Sequence, residues 1–252
     1  MTLLRTQALT IRVGSHTVCR ELDLAVGAGE CWAVLGSNGA GKTTFLHSLI
    51  GLHTEVSGHI DLAGEALGNL RRRRIAQLAG LLPQDSSDPF PASVLETAVM
   101  GRHPHLGPWQ WEGTADYAAA REALAAVGLT ELAERDVRTL SGGERRRLAL
   151  ATLMAQAPRI QLLDEPANHL DLHHQVTLLG RVSQPGDGAT VMSLHDVNLA
   201  ERFCSHALLL FGDGDACHGP INEVLDTTTL SRLYGHPIRH IDDAGRRVFI
   251  AE

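Results

Sequence analysis

The chain has 252 residues, enough for one large domain or a core with a subdomain, and enough to bury an apolar core without disulfide or metal staples. Its net charge of −7 argues against a nucleic-acid binder that works through a broad basic face. Cys19, Cys31, Cys204 and Cys217 form no C-x-x-C pair, so zinc-ribbon and thioredoxin chemistry have no support, and free thiols in a reducing compartment are expected.

The first thirty residues alternate apolar and polar, as in Leu9-Thr10-Ile11-Arg12-Val13 and Leu22-Asp23-Leu24-Ala25-Val26, which predicts antiparallel strands with one wet face. Cys31-Trp32-Ala33-Val34-Leu35 is a continuous apolar run, the pattern of a parallel strand covered on both sides. A glycine-rich stretch follows, then a predicted helix over Thr43 to Leu52. Ile60 to Ala63 and the segment ending at Leu81-Leu82 read as strands, with the basic run Arg71 to Arg74 between them. From about Asp88 to Gln156 alanine, leucine and charge recur at helical spacing, which predicts an inserted helical subdomain. Strands are expected again at Ile160 to Leu163, Thr190 to Leu194 and Ala207 to Phe211. The tail reads as helical pieces at Asn222 to Leu225 and Thr228 to Tyr234, then a strand at Arg247 to Ile250. No N-terminal segment has a signal peptide's pattern, and no apolar stretch approaches the roughly 20 residues that cross a bilayer. A membrane role is therefore expected to run through a partner.

Gly36-Ser37-Asn38-Gly39-Ala40-Gly41-Lys42-Thr43, followed by Thr44, is a phosphate-binding P-loop with a strand before it and a helix after it. The glycines let successive backbone N–H groups turn toward phosphate oxygens, and the start of the helix adds to that field. Lys42 supplies a slim ammonium for the β- and γ-phosphates, and Thr43 a hydroxyl for Mg²⁺. Lys42 is the only lysine; every other cationic side chain is arginine, whose rigid fork does not replace a point charge here. Ile160 to Leu163 leads into Asp164-Glu165-Pro166, where an aspartate at a strand end can hold the metal and the next glutamate can orient or deprotonate water. In Leu140-Ser141-Gly142-Gly143-Glu144 the Ser-x-x-Glu spacing is a capping box. Helix starting does not explain the two glycines, whereas close approach of backbone N–H groups to an anion does; both readings can hold.

With these motifs in order, the chain resembles the ATP-binding subunit of an ATP-binding cassette (ABC) transporter, Leu140 to Glu144 matching the family signature and Asp164-Glu165 its Walker B motif. Gln84 matches the Q-loop glutamine, Asn168-His169-Leu170-Asp171 the D-loop, and His195 the switch histidine. The resemblance implies an α/β P-loop NTPase core with an N-terminal antiparallel β subdomain and an inserted α-helical subdomain. The expected division is 1–30 for the antiparallel region, 31–87 and 157–211 for the core, 88–156 for the helical subdomain and 212–252 for a C-terminal extension. It further implies ATP and Mg²⁺ as ligands, with Thr43, Gln84 and Asp164 at the metal. Two copies would face each other head to tail, each ATP lying between one P-loop and the Ser141, Gly142, Gly143 and Glu144 of the other copy. Glu165, His195 and Gln84 would be the catalytic set, and Asp171 the D-loop acid.

The family's adenine-stacking aromatic has no counterpart: Val13 stands at that position, with His16 as a substitute contact. Gln161 interrupts the Walker B strand and Ala167 replaces a common threonine. Arg71 to Arg74 is read as a solvated helix face, with acidic groups on a partner or lipid as the alternative. His103-Pro104-His105 and His173-His174 come with no matching ligand set and read as surface histidines. Ser93 to Arg102, His103-Pro104-His105 and the tail Leu233 to Pro237 resemble the importer branch that serves iron-siderophores, haem and cobalamin. The partners so implied are polytopic membrane permease subunits and, indirectly, a substrate-binding protein, with no nucleic acid, at the cytoplasmic face of the inner membrane. An exporter cassette and a soluble non-transport ABC ATPase are the alternatives.

Overall fold

A computed structural model describes residues 1–84, 91–168, 170–243 and 245–252. Two long strands, β1 (Thr2–Val13) and β2 (His16–Gly27), form an antiparallel hairpin that turns at Gly14, whose φ of 58° suits glycine. β4 (Val56–Leu62) pairs antiparallel with the other edge of β1 and carries the short β5 (Glu65–Ala66). These later strands fall in the range 31–87 that the sequence assigned to the core, yet they complete the antiparallel sheet, in order β2-β1-β4-β5. Half-wet strands of this kind have the same alternation wherever they pair, so partner choice is not written locally.

The second sheet has the order β10-β9-β3-β8-β7-β6. Its parallel strands are β3 (Cys31–Leu35), β6 (Ala79–Leu82), β7 (Ile160–Leu163), β8 (Ala189–Ser193) and β9 (His206–Leu210), and β10 (Ala216–Pro220) runs antiparallel at the edge. Each residue of β3 and β8 is buried, as expected for strands covered on both faces. Alternate residues feed two cores. Trp32, Val34, Leu162, Val191 and Leu208 join the core under the antiparallel sheet, together with Phe45 and Leu46 of α1 (Lys42–Ser48). Ala33, Leu35, Leu163, Met192 and Leu209 join the opposite core. α1 ends at Ser48 rather than at the expected Leu52, because the chain turns through Gly51 at φ 67°.

Between β6 and β7 the chain forms α3 (Val94–Val99), a 3-10 turn (Met100–His105), α4 (Thr114–Ala126) and α5 (Gly142–Gln156), preceded by α2 (Arg72–Leu78) before β6. Val94, Ala98, Leu124, Leu129, Leu140 and Leu148 make a third core among these helices. α5 is shared: Leu148 and Ala151 face that core, while Leu150 and Leu153 face the sheet. After β7 come α6 (Leu172–Val182), α7 (Val197–Phe203), α8 (Ile221–Val224), α9 (Thr227–Tyr234) and a hairpin of β11 (Ile238–Asp243) with β12 (Arg246–Ala251). Asn198 locks this hairpin to α7 by donating to the Phe249 carbonyl at 3.0 Å and accepting its N–H at 2.7 Å. β11 escapes the sequence reading because five of its six residues are exposed or charged edge positions with no buried face. Among the described residues no helix is long and apolar enough to cross a membrane.

Candidate nucleotide-binding site

Parallel strands place the loops that leave their carboxyl ends on one edge of the sheet. Because β3, β8, β7 and β6 are neighbours in that order, four distant segments line up there: the P-loop after Leu35, His195 after β8, Asp164-Glu165 after β7, and Gln84 after β6.

In the P-loop, Gly39 (φ 82°) and Gly41 (φ 98°) lie in the left-handed region, and a Cβ on Gly41 would collide with the methyl groups of Val18. That contact sets the β1–β2 hairpin against the loop. Ser37, Asn38 and Gly39 are exposed, Gly36 and Ala40 are buried, and Gly41, Thr43 and Thr44 are half-buried. Lys42 is buried, and its Nζ donates to the Gly36 carbonyl at 2.8 Å and the Ser37 carbonyl at 3.2 Å. Burial lowers the Lys42 pKa, opposed by the carboxylates of Glu165 and Asp164.

Asp164 is fully buried. Its Oδ1 accepts the Ser193 hydroxyl at 2.6 Å, and its Oδ2 has no partner. The same Ser193 oxygen accepts the Glu165 N–H at 2.8 Å, so one small side chain at the end of β8 fixes both acids. Glu165 is buried and sits at φ 47°, a conformation uncommon outside glycine. Strain of this kind concentrates where a side chain must be aimed. Glu165 Oε2 accepts Gln84 Nε2 at 2.9 Å and Asn168 Nδ2, and Oε1 pairs with His195 Nε2. The structure therefore gathers two sequence-predicted residues, Gln84 and His195, around the carboxylate of a third, Glu165.

Arg146 was missed by the sequence reading. It lies in Arg145-Arg146-Arg147, which looks like a solvated charged run, yet it is buried. Nη1 donates to the carbonyls of Pro83 and Gln84 (3.2 Å to the latter), Nη2 to those of Asp164 (2.5 Å) and Glu165 (2.9 Å), and Nε to that of Pro166 (3.3 Å). One guanidinium on α5 thus ties the backbones of both acid-bearing and glutamine-bearing loops. Ser193 carried no site signal of its own, and Asn168 was read only as the first residue of the D-loop, with no contact to Glu165 expected.

Ser141 caps α5: its Oγ accepts the Glu144 N–H at 3.3 Å, and Glu144 Oε2 accepts the Ser141 N–H at 2.7 Å. Ser141 and Gly142 are exposed, Gly143 and Glu144 half-buried, and nothing lies within 4 Å of a Cβ on Gly142. Among the described residues no hydrogen bond joins Ser141–Glu144 to the P-loop of the same chain. Asp171 caps α6, accepting the His174 N–H at 2.9 Å; His169 lies outside the described residues. Val13 and His16 are paired across the hairpin turn, with Val13 exposed and the His16 Nε2 buried without a partner.

A P-loop after a central strand, with an acidic pair at the end of a parallel strand one place removed in the same sheet, defines a P-loop NTPase. The sequence profile of the ABC transporter family matches residues 19–168. The chain is 37% identical to the ferric enterobactin transport ATP-binding protein FepC of Escherichia coli, over 95% of this chain and 90% of that protein. It is 38% identical to the hemin import ATP-binding protein HmuV of Nocardia farcinica, over 90% of this chain and 79% of that protein. Among solved structures, a metal-chelate type ABC transporter in an inward-facing conformation superposes with a TM-score of 0.86 at 28% identity, over 100% of this chain and 98% of that one. The chain belongs to the ABC transporter family, as its ATP-binding, ATP-hydrolysing cassette.

Proposed function

We propose that the chain energises a membrane importer for a metal chelate such as an iron-siderophore, haem or cobalamin. The observation that carries the ATPase chemistry is the cluster of Gln84, Asn168 and His195 on Glu165, beside Lys42 and Asp164. The metal-chelate assignment is supported by the names and coverage of the relatives, ferric enterobactin, petrobactin and hemin transport proteins.

Lys42 holds the β- and γ-phosphates. Its present acceptors are neutral carbonyls, and a phosphate oxygen outcompetes them as a charge-assisted acceptor. The residues fit Mg²⁺: the unpartnered buried Oδ2 of Asp164 and the Thr43 hydroxyl are hard oxygen donors, with Gln84 close by. When bound, Mg²⁺ neutralises charge on the phosphates. Glu165 orients the attacking water and takes its proton, held in place by Gln84, Asn168 and the left-handed backbone. His195 donates to the γ-phosphate and to the charge that builds on it. Val13 and His16 flank adenine, a weaker grip than ring stacking gives.

The exposed Ser141, Gly142 and Gly143 form the other half of each site, in trans, in a head-to-tail pair of identical chains; Glu144 holds their conformation, and Asp171 lies at the same interface. ATP sandwiched between copies drives closure and hydrolysis releases it. The helical block moves with Gln84, and polytopic permease subunits at the cytoplasmic face of the inner membrane receive that motion, with a substrate-binding protein delivering cargo outside. Uptake of vitamin B12, haem and several ferric siderophores by a deletion strain tests the importer reading. Loss of uptake of one of them supports it, and normal uptake of all of them overturns it.

A further inference from the structure

The turn between the 3-10 segment and α4 carries the two most exposed aromatic side chains of the described residues. Trp109 is 99% and Trp111 86% accessible, whereas Trp32 is buried in the core. The turn is braced: Gly107 N–H donates to Gln110 Oε1 at 2.8 Å, and Gln110 N–H returns to the Gly107 carbonyl at 3.1 Å. It holds Trp109 at φ 64°, a region that bulky side chains rarely adopt. Beside it lies α2. Arg73 Nε (2.9 Å) and Gln77 Nε2 (2.8 Å) both donate to the Pro104 carbonyl, so the basic run packs against the 3-10 segment that leads into the tryptophan turn.

The charge on this face is net positive. Two carboxylates around it are matched by guanidinium groups, Asp116 by Arg102 at 3.1 Å and Glu65 by Arg74 at 2.5 Å, while Glu112 keeps its charge and shares a hydrogen bond with the His103 imidazole at 3.1 Å. Arg71, Arg72 and Arg73 pair with no carboxylate among the described residues; Arg72 and Arg73 bond only backbone carbonyls. The whole chain carries −7, so attraction to an anionic surface has to be local.

We infer that this face meets the anionic headgroup layer of the membrane, with Trp109 and Trp111 as the interfacial anchor and Arg71 and Arg73 as the phosphate-facing charges. The inference rests on the proposal that the chain works at a membrane. Tryptophan at a water–lipid boundary keeps its indole N–H hydrated and its ring in the headgroup region, and arginine beside it draws acidic lipid. The sequence of the tip favours lipid over a protein socket. Each ring projects between polar or small neighbours, Gly107, Pro108, Gln110 and Glu112, whereas a protein interface surrounds its aromatic anchors with packed apolar contacts. A protruding tip finds its cover in a soft headgroup layer.

The test uses the purified full chain, vesicles of phosphatidylcholine with or without phosphatidylglycerol, and brominated acyl chains. With anionic vesicles the tryptophan emission should shift to the blue and be quenched by bromine, and added salt should weaken both. Trp109→Ser with Trp111→Ser should abolish the quenching while leaving Trp32 emission and the ATPase rate unchanged. Arg71→Gln with Arg73→Gln should reduce partitioning to anionic vesicles about tenfold or more. Absence of quenching, or equal binding to zwitterionic vesicles, overturns the inference and leaves the ATPase and uptake readings standing. So does burial of both rings against permease subunits, seen as protection without bromine quenching in native membranes.

Discussion

The carboxyl end of β7 and the amino end of α5 carry the two chemically richest motifs, and they are built in opposite ways. Asp164 and Glu165 are buried, and their polar atoms are tied inward to Ser193, Gln84, Asn168 and His195. Ser141 and Gly142 are exposed, with glycine backbone facing open space. A site finished within the chain protects its acids from bulk water, which strengthens each interaction. The proposed role of this surface toward another copy's ligand requires its donors to be left uncovered. Arg146 joins the two, since it grows from the signature helix and grips the backbone of the acidic loop.

The sharpest break of the inward half is Glu165→Gln. Hydrolysis should fall by about 10² to 10⁴-fold, the usual scale for a lost general base, while ATP binding persists and the closed dimer accumulates. Phosphate release and size-exclusion chromatography with ATP read both, and near-normal turnover removes Glu165 from its role. Arg146→Met tests the link. Several buried carbonyls lose their donor, for a loss of about 3 kcal/mol or more of stability, and kcat should fall more than KM rises. Arg146→Lys should recover part of the stability because it restores charge and fewer donors.

The outward half caps α5 and carries the proposed contact in trans, two roles that a pair of substitutions separates. Ser141→Ala removes the cap and should cost about 1 kcal/mol. Ser141→Asp keeps a capping oxygen, so the melting temperature should change little, yet it sets a negative charge toward the partner's ATP and should abolish ATP-driven dimerisation. Unchanged dimerisation in that variant would confine Ser141 to helix starting. The smallest effect concerns pH. Glu144 and Glu96, in the capping boxes of α5 and α3, are held below the ordinary 4.5 by the backbone N–H groups of Ser141 and Ser93 and then by their hydroxyls. Their folded values are depressed, so their contribution is complete above pH 4.5 and is lost as pH falls through the lower folded values. Circular dichroism melts against pH should show this loss in the wild type and not in Glu96→Gln with Glu144→Gln.

Local chemistry made much of this legible. β7 spans the residues Ile160–Leu163 that the apolar run marked, and Gly39 and Gly41 adopt the left-handed backbone for which glycine was read. Arg146 was not legible, because a guanidinium in a run of three looks the same whether its carbonyl partners arrive from a distant loop or water takes their place. Ser193 ended an apolar strand with nothing to mark it as the brace of two acids. Gln161, which interrupts the strand, falls on the parity that faces the second core, where it is only half-buried.

What the sequence determined by itself was therefore everything set within a few residues: strand and helix periods, the glycine conformations of the P-loop, the capping boxes and the order of the motifs. What only the tertiary structure decided was adjacency. Continuous apolar strands look alike, so nothing in β3, β6, β7 and β8 names its neighbour. Their pairing is settled by shared burial and long-range hydrogen bonds, and it is this pairing that sets residues 36–44, 84, 164–165 and 195 on one edge of the sheet.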